Sequence, residues 1–435
     1  MKTKQIKKDK VNIITLGCSK NLVDSEVLSG QLKANDIDAV HESKKKDHNI
    51  VVINTCGFIE KAKEESIQHI LDHVDLKKKG KLDKVYVTGC LSERYRESLE
   101  QEIPEVDAYF GTLELPQILQ KFNADFKSEL IGERMLSTPS HYAYLKISEG
   151  CNRTCSFCAI PLMRGKHVSR TMESLVDEAT SLVKKGVKEI MVIAQELTYY
   201  GLDIYKRRAL PELLHKLADI EGLEWIRLHY AYPSKFPLEI IDVMKERKNI
   251  CNYLDIPLQH ASNRMLTAMK RQISREEMEE LIGEIRSRIP DICIRTTLIA
   301  GYPGETREDV EELKDFLTRM RFDRVGIFTY SHEEQTSAFE LEDNIHAEEK
   351  EERAREIMDL QQEISLEKNQ EKLGKVLTVL VDRKEAGRYL GRTEFDSVEV
   401  DNEVIIQTTK RLQPGTFVQV KITKAYDYDL EGELV

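Results

Sequence analysis

The sequence predicts an α/β protein in three parts. These are an N-terminal parallel α/β domain over residues 10–125, a central partial (βα)6 barrel over 137–367 and a small C-terminal β-barrel over 369–435. Three observations lead there. Strand-like and helix-like runs alternate through the first part, six more strand-like runs alternate with helical patterns between 142 and 330, and only short strand-like runs follow Gly374. Strand–helix alternation implies a parallel sheet with helices on its faces, whereas clustered short strands imply a small barrel.

In the first part, VNIITLG (11–17) is a β-branched run that stops at a glycine. Leu22, Val27 and Leu28 then fall at helical spacing within 20–33. NIVVINT (49–55) and KVYVTG (84–89) are the next two strands, with helices from about 59 to 74 and from about 92. The central strands are YAYLKIS (142–148), KEIMVIA (188–194), EWIRLHY (224–230), NYLDIP (252–257), ICIRTTLI (292–299) and RVGIFTY (324–330), with helical patterns such as 171–185 and 306–320 between them. Six strand–helix units fall short of the closed eight-unit barrel. Residues 346–372 are rich in Glu, Lys, Arg and Gln, with Ala354, Ile357, Gln361 and Ile364 at helical spacing. They predict a solvated helix leaning on the barrel. The tail is expected to form strands at 375–382, 388–393, 396–401 (DSVEVD), 403–408 and 416–425.

Of the 435 residues, 40% are hydrophobic and 32% charged, as in an ordinary folded protein. No apolar run approaches the ~18 residues that would span a bilayer, and the stretch between MKTKQIKKDK and Gly17 is too short for a signal peptide. A cytoplasmic, reducing compartment is the expectation. The eight cysteines then read as metal ligands, reactive groups or buried small hydrophobes rather than disulfides. The formal net charge of −11 argues against a chain built mainly to coat nucleic acid. The lysine runs 44–46 and 77–79 read as solvated loops.

Cys151-Asn-Arg-Thr-Cys155-Ser-Phe-Cys158 is the strongest chemical signal. Three thiols within eight residues follow a predicted strand directly. Three cysteines suit a 4Fe–4S cluster with one iron left open for a ligand. The alternative is a zinc site completed by a distant fourth ligand. Cys18, Cys56 and Cys90 are isolated in sequence, yet each ends a predicted strand and precedes a predicted helix. In a parallel sheet all strand C-termini share one edge, so the three are expected together near helix N-termini that favour thiolate. A second three-cysteine cluster is the reading. Cys251 and Cys293 lack such placement and read as structural. His260 follows the fourth central strand, where a proton-handling group and an ordinary loop histidine are both open.

The C-x3-C-x2-C loop after the first barrel strand resembles the radical S-adenosylmethionine superfamily. That resemblance implies a bound S-adenosylmethionine cleaved to a 5′-deoxyadenosyl radical. It places Phe157 at an aromatic position common in such loops and Gln195 and Glu196 at a motif that binds the methionine amine. Barrel ligands gather at strand C-termini, so Arg295 and Gly301-Tyr-Pro-Gly304-Glu305, on strand five and its exit, are candidate cofactor supports, although a simple turn would need the same glycines. Together with the second cysteine set and the tail, nearly the whole chain resembles the methylthiotransferases, with an N-terminal methylthiotransferase domain, a radical core and a TRAM domain. The resemblance implies two 4Fe–4S clusters and two S-adenosylmethionine molecules per methylthio group. Cys151, Cys155 and Cys158 would hold the radical-generating cluster, and Cys18, Cys56 and Cys90 the auxiliary, sulfur-donating one.

LGCSKNLVDSE (16–26), INTCGFIEKAKEESI (53–67) and GRTEFDSVEVD (391–401) resemble the branch that modifies an aspartate of small-subunit ribosomal protein twelve. The other branch, which modifies tRNA adenosines, tends to carry a GCQMN-like first motif. Charge leans the same way. Residues 373–435 hold nine Lys+Arg against eleven Asp+Glu, and residues 137–372 carry a net −8, so neither part is an obvious RNA cradle. A basic ribosomal protein complements an acidic surface, and direct tRNA binding is the weaker expectation. An electron donor and a sulfur source are implied partners. The remaining alternative from another class is a non-catalytic iron–sulfur carrier or sensor, which would not turn over S-adenosylmethionine.

Overall fold

The three apolar runs read near the N-terminus form the middle of a five-stranded parallel sheet. In the computed structural model, which describes residues 9–45, 47–127 and 133–435, they are β1 (Lys10–Thr15), β3 (Ile50–Thr55) and β4 (Lys84–Gly89). Two short strands add to the edges, β2 (Asp38–His41) and β5 (Ala108–Tyr109), giving the order β2-β1-β3-β4-β5. The helices α1 (Ser19–Ala34), α2 (Glu60–Lys78) and α3 (Cys90–Glu102) follow β1, β3 and β4. β3 is buried along its whole length, as a central parallel strand must be. Its alternate residues serve two cores. Val51 and Ile53 pack with Ile70, Val74, Leu91 and Leu99, while Ile50 and Val52 pack with Leu28, Leu32 and Leu119.

The sheet belongs to the first of two compact units, made of residues 1–138, 149–152 and 159–181. Residues 1–8 and Lys46 lie outside the described residues, and with them part of the basic start and of the 44–46 run. The run 77–79 departs from the solvated-loop expectation. Lys77 and Lys78 end α2, where cations suit the helix C-terminus, and pair with Asp107 and Glu105 at 2.6 Å each. α1 buries an unusual polar face, including Ser25, Glu26, Ser29 and Gln31. The segment after residue 126 satisfies it. Arg134 and Ser137 donate to Glu26 at 2.7–2.8 Å, and Gln31 exchanges hydrogen bonds with the Lys127 backbone at 2.8 and 2.9 Å.

The second unit comprises residues 139–148, 153–158 and 182–435. Its six parallel strands stand in chain order: Tyr142–Lys146, Glu189–Ile193, Trp225–Leu228, Ile250–Asp255, Cys293–Ala300 and Arg324–Thr329. The sheet does not close, as the strand count predicts. The long helix Ala347–Gln370 runs against it. Its buried seam includes Ile357, Gln361 and Ile364 but is largely polar, with Gln361 donating to Phe322 O at 3.0 Å.

The tail forms a closed five-stranded barrel from Val376–Glu385, Arg388–Arg392, Val404–Gln407, Phe417–Ala425 and Leu430–Leu434. DSVEVD (396–401), expected as a strand, is irregular, and Leu430–Leu434 takes its place in the barrel. The acids of DSVEVD explain the change. Asp396 pairs with Arg324 at 2.6 Å and Asp401 accepts from Tyr253 Oη at 2.7 Å, so the segment is anchored by side chains on the central strands instead of by a ladder. A buried ionic chain joins the same parts. Glu189 pairs with Arg227 and Arg392 at 2.8 Å each, Arg392 with Asp382 at 2.7 Å, and Asp382 with His141 at 2.9 Å. Trp225 meets Phe417 edge to face at 4.9 Å. Cys251 and Cys293 are buried in this cluster, as read from the sequence. Among the described residues no helix is long and apolar enough to cross a membrane.

Candidate iron–sulfur sites

Sheet register brings Cys18, Cys56 and Cys90 to one edge. Thr15 pairs with Asn54 and Thr55 with Gly89, so the three chains leave the sheet side by side. Cys18 caps α1 and Cys90 is the first residue of α3, whereas Cys56 stands four residues ahead of α2. The helix-terminus expectation thus holds for two of the three. Gly17 has φ +95°, and a Cβ there would lie 2.7 Å from Cys56 Cβ and 2.9 Å from Cys56 Sγ. Only a glycine lets the first loop approach the second so closely.

Side chains hold the loops. Ser66 is fully buried, and its hydroxyl both accepts from the Cys56 N–H and donates to the Cys56 carbonyl, at 3.0 Å each. Asn21 donates to the carbonyls of Leu16 and Thr55 at 2.8 and 3.1 Å. Arg164 donates from Nε to Cys90 Sγ at 3.3 Å. Burial opposes the thiolate at Cys56 and Cys90. Burial, with the neighbouring Cys18 and Cys90 sulfurs adding to it, pushes Cys56 up to about 12, and burial also raises Cys90 against the opposing pull of Arg164. At Cys90, the first residue of its helix, burial thus works against the helix-terminus effect, and metal binding at such a thiol releases its proton.

The second cysteine set begins at the end of the first central strand. Gly150 (φ +74°) precedes Cys151, whose N–H donates to Gly165 O at 3.2 Å. Further along, Arg271 Nη1 donates to Cys155 Sγ at 3.2 Å and Tyr232 Oη lies 3.7 Å from the same sulfur. Ser156 is tied to Ala268 O and Tyr302 Oη at 2.9 Å each, and its N–H to Met269 O at 3.1 Å. Phe157 packs beside Met265, Met269, Ile299, Tyr302 and Tyr330. The Cys158 N–H turns back to Cys155 O at 3.2 Å.

Gln195 and Glu196 stand just past the second strand. Glu196 is buried, accepts from Thr198 N and Oγ1 at 2.7 and 2.6 Å, and pairs with Arg153 at 3.3 Å. The Arg153 guanidinium lies over the rings of Tyr199 and Tyr232, 4.1 and 3.8 Å from their centroids. Arg295 sits inside strand five, five residues before its end. It is held by Asp255 and Asp401 at 3.3 Å each. At that strand's exit, Glu305 accepts the Gly301 N–H at 3.0 Å and pairs with Arg353 at 2.9 Å. His260 faces the same carboxylate at 3.4 Å while its Nδ1 accepts from Ala261 and Ser262 at 2.9 Å. Nδ1 therefore serves the fold, while Nε2 faces the Glu305 carboxylate.

Among the described residues no group of three or more His, Cys, Asp or Glu side chains converges as a single metal ion requires. By donor chemistry, three cysteines without a fourth ligand fit a four-iron cluster with one open iron better than a closed zinc site. Sequence reasoning missed Ser66, Arg164, Tyr232 and Arg271. For Arg164 the one available signal was its place just beyond the cysteine loop.

Residues 145–317 match the family model of the radical SAM superfamily, 10–111 that of the uncharacterized protein family UPF0004, and 373–435 that of the TRAM domain. Among solved structures, a radical S-adenosylmethionine methyltransferase, TsrM, from Kitasatospora setae is similar over 73% of each chain at 15% identity, with a TM-score of 0.54. The cobalamin-dependent S-adenosylmethionine radical enzyme OxsB covers 76% of this chain and 54% of its own at 13% identity, with a TM-score of 0.52. These two establish the fold. Proteins named ribosomal protein uS12 methylthiotransferase RimO are far nearer in sequence. That of Flavobacterium psychrophilum is 59% identical over all of both chains, that of Cytophaga hutchinsonii 58% over all of both, and that of Bacteroides thetaiotaomicron 52% over 99% of each. With identity of that order from end to end, the chain belongs to the radical S-adenosylmethionine methylthiotransferases, in the RimO family.

Proposed function

We propose that this enzyme replaces a β-carbon hydrogen of an aspartate in small-subunit ribosomal protein uS12 with a methylthio group, using two 4Fe–4S clusters and two molecules of S-adenosylmethionine. The observation that carries the two-cluster reading is the convergence of Cys18, Cys56 and Cys90 at one sheet edge, apart in sequence from Cys151, Cys155 and Cys158. When bound, the clusters supply the electron that cleaves S-adenosylmethionine and the sulfur that is transferred. A radical is required because an aliphatic C–H is too weak an acid for a general base at neutral pH.

The chain's own residues hold and shield. Arg271 presents an N–H to Cys155 Sγ, which orients that sulfur. Ser156 and Phe157 fix the loop from both sides, by hydrogen bonds and by apolar packing. Phe157, Gln195 and Glu196 are the cofactor-side residues nearest the strand exits. Arg295 lies within strand five, back from its exit, and Glu305 keeps the neighbouring Gly301 turn in shape. The auxiliary loops are held by Ser66 and Asn21. An electron donor and a sulfur source act with the enzyme in the cytoplasm, where cysteines stay reduced.

A second reading, methylthiolation of a tRNA adenosine, draws on one feature that net charge conceals. Lys384, Lys410 and Arg411 line a groove of about 480 Å³ on the tail barrel. An anaerobic competition assay separates the two readings. Reconstituted enzyme, S-adenosylmethionine, sulfide and reductant meet small ribosomal subunits and unmodified bulk tRNA together, and mass spectrometry follows both. We expect the methylthio group on uS12. Its appearance on tRNA alone would overturn the substrate assignment while keeping both cysteine sites.

A further inference from the structure

Arg164 ends the short helix Ile160–Arg164, and its side chain is 3% exposed. Its guanidinium reaches four partners. Nε donates to Cys90 Sγ at 3.3 Å, Nη1 to Asp24 at 2.7 Å and to Glu149 at 3.4 Å, and Nη2 to Asn21 Oδ1. Asn21 in turn holds the carbonyls of Leu16 and Thr55, just ahead of Cys18 and Cys56. One buried cation therefore touches Cys90, steadies the other two strand-end loops through Asn21, and pairs with a carboxylate two residues before Cys151. The next residue completes the link, since Gly165 O accepts the Cys151 N–H at 3.2 Å. Contact there is tight. A Cβ on Gly150 would lie 2.2 Å from Lys166 O and 2.6 Å from Gly165 O.

Iron binding changes what Arg164 meets. As a thiol, Cys90 can donate to Asn21 Oδ1, 3.7 Å away, while it accepts from Arg164. A metal-bound thiolate has no proton to donate, and its anionic sulfur makes the Arg164 bond charge-assisted, roughly twice as strong as a neutral one. We propose that Arg164 is a positioning residue coupling the two cysteine loops. Iron held by Cys18, Cys56 and Cys90 draws Arg164 onto Cys90 and, through Gly165, orders the backbone at Cys151. This rests on the auxiliary-site assignment made above. Linkage makes the coupling reciprocal, so an ordered Cys151 segment also favours iron at the auxiliary set.

Hydrogen–deuterium exchange in the full-length Cys155→Ala/Cys158→Ala variant tests it, because that background keeps Cys151 and the auxiliary cysteines. Anaerobic loading with iron and sulfide, followed by iron content per chain, is expected to slow exchange of the 149–152 amides at least about fivefold, the lower end of ordinary coupling. Unchanged exchange in loaded protein overturns the proposal, and this arm requires no substitution at Arg164. Adding Arg164→Lys keeps the charge but cannot reproduce the planar fork. That variant should bind iron and lose the loading-dependent slowing, whereas undiminished slowing overturns the route through Arg164. A background that binds no iron overturns the auxiliary assignment itself, and iron content tells this apart from failed coupling.

Discussion

Opposing influences act on the cysteines one residue at a time. Burial pushes the Cys56 thiol up to about 12, against the weaker help of the Phe58 backbone and Arg164. Metal binding at such a buried thiol releases its proton. Separate cysteine sets imply separable losses. Cys155→Ala should abolish 5′-deoxyadenosine formation, read by chromatography of the quenched reaction. Cys56→Ala should retain that product and lose methylthiolation. Loss of 5′-deoxyadenosine from Cys56→Ala as well would show that the sets do not act separately. Gly17→Ala should lower the iron bound per chain, because its Cβ would meet Cys56 at 2.7 Å and its φ of +95° disfavours any side chain. At this scale Cys18, Cys56 and Cys90 were legible because each ends a strand-like run, and Cys151, Cys155 and Cys158 by their spacing. Ser66, Arg164 and Arg271 were not. They reach their cysteines across 10, 74 and 116 residues of chain, and nothing local marks a donor whose acceptor is that distant.

At the scale of elements, period and stop signals placed the central strands well. The two edge strands β2 and β5 escaped, since four and two residues are too few to show alternation. DSVEVD misled for the opposite reason. It alternates like a strand, yet Asp396 and Asp401 are drawn to Arg324 and Tyr253. Side-chain pairing overrode the pattern, as tertiary context commonly does. α1 shows how a weakly amphipathic helix is held by its surroundings. Glu26 is buried and accepts from Arg134, Ser137 N and Ser137 Oγ. Glu26→Ala should cost about 3 kcal/mol, since it leaves a buried cation with one fewer partner, although Glu178 still pairs with Arg134 at 2.9 Å. Urea denaturation of the apo-protein measures this, and a loss below about 1 kcal/mol would mean that solvent or Glu178 compensates.

For the molecule as a whole, the chain Arg227–Glu189–Arg392–Asp382–His141 is the largest buried electrostatic feature described. Burial works against the Glu189 and Asp382 carboxylates, but Arg392 and Arg227 hold Glu189 below the usual range, and His141 and Arg392 do the same for Asp382. Depressed carboxyl values contribute stability that is present above the unfolded values of about 4, and it is lost as pH falls through the folded ones. Unfolding free energy of the apo-protein should therefore fall progressively below about pH 4. Arg392→Ala should cost about 3–5 kcal/mol at neutral pH by leaving two buried carboxylates short of a partner, and should weaken that acid dependence. Urea midpoints across pH test both, and an Arg392→Ala protein as stable as the parent would show that the pairs only balance their desolvation.

The sequence by itself determined the α/β class, the six-strand central sheet, the small tail barrel and the placing of Cys18, Cys56 and Cys90 at one sheet edge. All of these follow from local periodicity, stop signals and the rule that parallel strands end at a common edge. Tertiary structure alone decided which groups surround the sulfurs and what joins the tail barrel to the central strands. Arg164 on Cys90, Arg271 on Cys155 and Arg392 between Glu189 and Asp382 are contacts between distant segments. A buried charge is tolerable only once its partners have folded around it, so its position belongs to the assembled molecule and not to any stretch of chain.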